Sequence, residues 1–102
     1  MEVCANCQDG VVYLTLRGEI DEHNAVSARK KADAIADECA GSKSAVFDLK
    51  EVTFMDSTAI GFLIGRYKKF KRYGVPTYLT NPSQSADKIL TISGVYALMP
   101  KI

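Results

Sequence analysis

Between Val52 and Phe70 the hydrophobic rhythm of the chain changes within a few residues. Val52-Thr53-Phe54 has the β-branched and aromatic character of a strand end. Ile60, Leu63, Ile64, Tyr67 and Phe70 then recur at helical spacing. Such a switch needs a tight junction, and the junction here holds Asp56, Ser57 and Thr58, an acid and two hydroxyls. Strand-to-helix junctions are where α/β proteins place their sites. The first N–H groups of a helix lack intrahelical acceptors and lie at the positive end of its dipole. A phosphate on Ser57 is therefore tolerated by the helix start itself.

The alternation continues on both sides. Val11 to Arg17 reads as a strand, and Asp9-Gly10 favours a tight turn that pairs it with Val3 to Cys7. Gly18 is expected to end that strand, and Glu19 to Asn24 reads as a polar loop with Asn24 as N-cap. From Ala25 a stripe of Ala25, Ala28, Ala32, Ile35, Ala36 and Cys39 predicts a helix, stopped near Gly41. Its small residues suit close packing on a sheet. Ser44 to Leu49 reads as a short buried strand, with Lys50-Glu51 a polar break before Val52. The central helix is expected to run from Ser57 or Thr58 to about Tyr73, with Phe62 off its core stripe and exposed beside Gly61 and Gly65. Val75 to Thr80 is the next strand, and Asn81-Pro82 is expected to cap and open a last helix to about Ile92, with Ile89 and Leu90 facing in. Tyr96 to Met99 is expected to form a final short strand. Strands alternating with helices predict an α/β sandwich with parallel crossovers.

At 102 residues the chain is expected to be one domain, residues 1–102. A chain this long can bury a core without metal or disulfide support. A net charge of +1 gives no drive toward nucleic acid or an anionic membrane, and the Lys68 to Arg72 run reads as cations satisfying a helix C-terminus. No signal peptide or membrane-spanning run is visible, so the cytoplasm is the expected location, without membrane insertion. Three cysteines without a secretory leader point to reduced thiols. Cys4 and Cys7 form a lone C-x-x-C that precedes the first long strand, where a redox motif would open a helix, and it reads as incidental. No metal site is expected, since a second ligand pair is missing.

No G-x-S-x-G elbow, Gly-rich phosphate loop or metal cluster is present, so the chain is not expected to be an enzyme or to carry a cofactor. Ser57 alone can be read as a capping serine, but if Asp56 caps the helix the Ser57 hydroxyl is free. Asp56 reads equally as a cap and as an exposed anion beside an acceptor.

Phe54-Met55-Asp56-Ser57-Thr58-Ala59-Ile60-Gly61 resembles the signature of STAS domains of the anti-sigma factor antagonist type. Leu16 to Asp21 and Ile92 to Val95 agree with that family in order and spacing, so the likeness runs from about Val11 onward. Ala59 stands where the family usually has glycine. The resemblance implies a STAS-like α/β sandwich with a four- to five-stranded mixed sheet. It also implies a function: the dephosphorylated protein docks on an anti-sigma factor that is an ATP-using serine kinase, frees a sigma factor, and is switched off by phosphorylation of Ser57, with Thr58 as second choice. A PP2C-like phosphatase would reset it. The implied partner-binding residues are Asp21, Glu22, His23, Asn24, Asp56, Thr58, Gly61 and Phe62, with His23 a contact residue and not a base. The other function this likeness allows is an unphosphorylated STAS interaction module in a larger regulatory or transport assembly.

Overall fold

Asp9 and Gly10 both take positive φ, 54° and 80°, the conformation of the hairpin turn that matches strand twist. A computed structural model, which describes residues 1–102, places that turn between strand β1 (Glu2–Gln8) and strand β2 (Val11–Glu19), paired antiparallel. Helix α1 (Ala25–Glu38) crosses to strand β3 (Ser44–Phe54), which lies parallel to β2. Helix α2 (Ser57–Arg72) crosses to strand β4 (Thr77–Thr80), parallel to β3. Helix α3 (Gln84–Ser93) and a 3-10 turn (Val95–Ala97) complete the chain. The sheet is four-stranded and mixed, in the order β1-β2-β3-β4.

One face of the sheet is covered. Val12, Leu14 and Leu16 alternate inward along β2, while Tyr13 and Arg17 face out. Ala45, Phe47 and Leu49 continue the inward row on β3 and meet Ala25, Ala28, Ala32 and Ala36 of α1 in one core. Alanines let the helix axis approach the sheet closely. Each fully buried Leu or Phe contributes about 1.5–3 kcal/mol relative to exposure, so the core is carried by residues such as Phe47, Phe70, Leu14 and Leu63.

The structure corrects several expectations. Lys50-Glu51 does not break β3. Thr15 to Arg17 of β2 spans Asp48 to Glu51 of β3, so β3 carries an extra residue as a bulge, and Asp48 Oδ1 accepts from the Lys50 N–H at 3.0 Å. Gly18 does not end β2 but lies within it at φ 90°, next to a second register shift. Asn81 is not the cap of α3. It sits at φ 57° with its amide reaching Asp48, and Ser83 caps instead, accepting from the Ala86 N–H at 3.1 Å. Residues 96–99 form no strand; Val95–Ala97 closes as a 3-10 turn, and only Lys101 bridges to Leu79.

Phe62 is the correction that bears on function: it is 3% exposed and belongs to the core. The buried residues of α2 are Ala59, Phe62, Leu63, Arg66 and Phe70, while Ile60, Ile64 and Tyr67 are only partly covered. The helix is rotated because α1 covers a second side of it. Arg66, 7% exposed, stacks over the Phe62 ring at 5.2 Å and brings Nε to 2.8 Å from Asp33 Oδ1 on α1. That approach is off the line of a hydrogen bond, and Arg66 Nη1 has no partner. Burial holds the Arg66 guanidinium below its ordinary value, against the opposing pull of Asp33.

Candidate partner-docking site

Parallel strands deliver their C-terminal ends to one edge of the molecule. Glu19 at the end of β2 pairs with Phe54 at the end of β3, so the loop from Ile20 to Asn24 and the turn from Met55 to Ser57 emerge side by side. Ile20 and Met55 are both buried and anchor the two loops from below.

The turn works through Asp56. Its backbone is extended, and its carboxylate accepts from the Thr58 N–H at 2.9 Å and more weakly from the Ala59 N–H at 3.4 Å. The helix start is thereby capped without Ser57. Ser57 is the first helical residue, it is exposed, and its hydroxyl takes no part in the cap. Thr58 is half-buried. Ala59 is 2% exposed, so the methyl that replaces the family's glycine points into the core, away from Ser57.

The neighbouring loop holds itself together differently. Asp21 Oδ1 accepts from the N–H groups of His23 and Asn24, at 2.9 and 3.0 Å. Asn24 Oδ1 accepts from the Asp21 N–H at 3.0 Å, and the Asn24 amide donates to the Glu19 carbonyl at 3.1 Å. Asn24 therefore does not cap α1 with its side chain, as expected from sequence; it ties the loop to β2. Glu22 and His23 remain exposed at the tip.

Two features of this edge were not anticipated. Ser57 borders a shallow groove of about 250 Å³ whose other walls are Ile60, Ile89, Ile92 and Ser93, between α2 and α3. Ile92 is 86% exposed and Phe54 53% exposed, both large and apolar. The spacing of Ile89 and Ile92 against buried Ala86 and Leu90 contains the signal, since Ile92 cannot share the buried stripe of α3. Along α2, Ser57, Gly61 and Gly65 follow at intervals of one turn, and a Cβ on either glycine would meet nothing within 4 Å. Gly61 is exposed; Phe62, its neighbour, is turned away into the core. The sheet edge thus gathers Asp21, Glu22, His23, Asn24, Asp56, Ser57, Thr58 and Gly61, and leaves out Phe62.

The STAS domain family matches residues 2–102. The chain belongs to the STAS domain family. An anti-sigma F factor antagonist of Paenibacillus polymyxa is 31% identical over 91 residues, 89% of this chain and 77% of that protein. The fold is also that of the anti-sigma factor antagonist SpoIIAA. Its unphosphorylated form gives a TM-score of 0.79 at 24% identity, over 99% of this chain and 88% of that one. Its phosphorylated form, described as a Bacillus cell fate determinant, gives 0.72 at 24% identity, over 99% and 91%. This STAS domain is accordingly of the anti-sigma factor antagonist type. No helix in it is long and apolar enough to cross a membrane.

Proposed function

We propose that this STAS domain is an anti-sigma factor antagonist whose docking edge is switched off by phosphorylation of Ser57. In its dephosphorylated form it binds an anti-sigma factor with serine kinase activity and so releases a sigma factor. The kinase, using ATP, then modifies Ser57, and a PP2C-like phosphatase reverses the modification. The chain itself does no catalysis and needs no cofactor. The observation that supports this reading best is the division of labour at the α2 start: Asp56 caps, and the Ser57 hydroxyl stands exposed beside the apolar wall of Ile60 and Ile92.

The switch is local electrostatics. A phosphoserine carries about −1.5 to −2 charges and strong hydration. At the first helical position it is tolerated by the free chain. Inside a docked interface it lies next to the Asp56 carboxylate and an apolar groove, where repulsion and lost hydration both oppose binding. Glu22 and His23 are the residues of the adjoining loop free to touch the partner, and Asp21 and Asn24 hold them in place.

Incubation with the cognate kinase and ATP, followed by peptide mapping, tests the assignment. Phosphate is expected on Ser57 and absent from a Ser57→Ala variant. Phosphate on another residue, with Ser57 unmodified, would overturn it.

A further inference from the structure

The sulfur atoms of Cys7 and Cys39, 32 positions apart in the chain, lie 3.7 Å from one another. Cys7 stands near the end of β1, on the strand face it shares with buried Val3. Cys39 is the C-cap residue of α1, the helix that packs beside this strand. Cys4 occupies the opposite face of β1. Three steps of extended chain also separate the Cα atoms of Cys4 and Cys7 by about 10 Å, beyond the roughly 7 Å that a disulfide spans. The C-x-x-C spacing in the sequence therefore does not mark the reactive pair.

We infer that Cys7 and Cys39 are a site of reversible covalent modification, an intramolecular disulfide that fastens edge strand β1 to the end of α1, with Cys4 left as a thiol. A low-molecular-weight disulfide is the oxidant. The thiolate of Cys7, the more exposed of the two, attacks one sulfur of that oxidant and expels one thiolate, leaving a mixed disulfide. The Cys39 thiolate then attacks the Cys7 sulfur and expels the second. Two protein thiols lose two electrons and two protons, and the oxidant becomes two thiols. Burial, with the Cys7 sulfur and the Glu38 carboxylate beside it, pushes the Cys39 thiol up, consistent with Cys7 being the entry point. The bond needs the sulfurs to close to about 2.05 Å, a shift available to two side chains at the ends of their elements.

The site is remote from the docking edge. Cys7 pairs with Val12, and Val12 with Ala45, at the start of β3. Ser57 follows the other end of β3, roughly 30 Å along the strand. The inference is independent of the proposed function, and oxidation leaves the docking edge uncovered.

The test starts from a Cys4→Ser protein, so that no third thiol can divert the reaction. Excess oxidised glutathione is added, and intact mass, peptide mapping and thermal melting are recorded. The expected product is monomeric, lighter by two hydrogens, and linked through Cys7 and Cys39. Its melting temperature is higher by about 5 °C or more, a gain lost on adding dithiothreitol. Wild-type protein should give the same link. A Cys4–Cys7 link in wild type, stable glutathione adducts on Cys7 without ring closure, or thiols left unreacted in excess oxidant would each overturn the proposal. Should Cys7→Ser or Cys39→Ser controls fail to fold, the peptide map of the wild type decides alone.

Discussion

Helices α1 and α2 start at the same edge of the sheet, a strand apart, yet they start in opposite ways. At α2 the residue before the helix turns its carboxylate onto the helix N–H groups, and the next side chain is left free. At α1 the residue before the helix turns its amide away, to the preceding loop and strand, and no side chain caps the helix. One start makes a rigid helix end with a bare hydroxyl; the other makes a rigid loop with Glu22 and His23 at its tip. A charge added at the first is expected to change the proposed docking edge without disturbing the fold. A change in Asn24 disturbs the loop without altering the charge at the edge. On the proposed function, the switch belongs to the α2 start and the supporting contact to the α1 loop.

The largest expected effect comes from putting charge on the α2 start. Ser57→Asp should weaken binding to the anti-sigma factor at least a hundredfold, the equivalent of about 3 kcal/mol, while Ser57→Ala binds like the wild type. Calorimetric titration of both variants checks this. Equal affinities for Ser57→Asp and wild type would remove the electrostatic switch, and with it the contrast between the two helix starts.

Removing the cap comes next. Asp56→Ala leaves the Thr58 and Ala59 N–H groups without the carboxylate and should cost about 1–2 kcal/mol, lowering the melting temperature by roughly 4–8 °C per kcal/mol. Asp56→Asn caps nearly as well and should stay within about 0.5 kcal/mol of wild type. This pair separates the two roles of Asp56. Partner affinity retained in the stable Asn variant makes the carboxylate structural; affinity lost there makes it a contact. At the other start, Asn24→Ala breaks two loop hydrogen bonds and should cost about 1 kcal/mol. Because the loop presents Glu22 and His23, the same change should also weaken partner binding. If it destabilises the protein without touching affinity, the α1 loop is no part of the docking edge.

Much of this arrangement is legible in the residues alone. The change of period at Asp56 locates the α2 start, and Asp9-Gly10 locates the hairpin, because each rests on local chemistry. Other features depend on contacts between distant residues. The phase of the α2 stripe differs from the one its apolar spacing predicts because the helix is covered by both the sheet and α1. Arg66 enters the interior through stacking on Phe62 and the approach of Asp33, which no helical period of apolar residues reveals. Lys50-Glu51 reads as a break in the sequence because a bulge shifts the inward row from Leu49 to Val52. Asn24 and Asn81 both read as caps in the sequence, and both bond to a residue of a preceding strand instead. Cap identity follows from which acceptor the fold brings near, and sequence supplies only the candidates.

The smallest effect is expected at Gly61, where stability and docking separate. Gly61 lies one turn beyond Ser57 on the exposed side of α2, at ordinary φ, and a methyl group there would meet nothing within 4 Å beyond its own stretch of helix. Glycine inside a helix is less favourable than alanine by about 0.5–1 kcal/mol, so Gly61→Ala should raise stability by that amount. Nothing in the free protein explains why the position is bare. On the proposed function a partner surface would lie close along the Ser57–Gly61 ridge, and a Cβ would hold it off. The variant is therefore expected to melt higher and bind the anti-sigma factor more weakly, opposite in sign to Asn24→Ala in stability and like it in affinity. A Gly61→Ala protein that is more stable and binds unchanged would confine the docking surface to the helix start and the α1 loop.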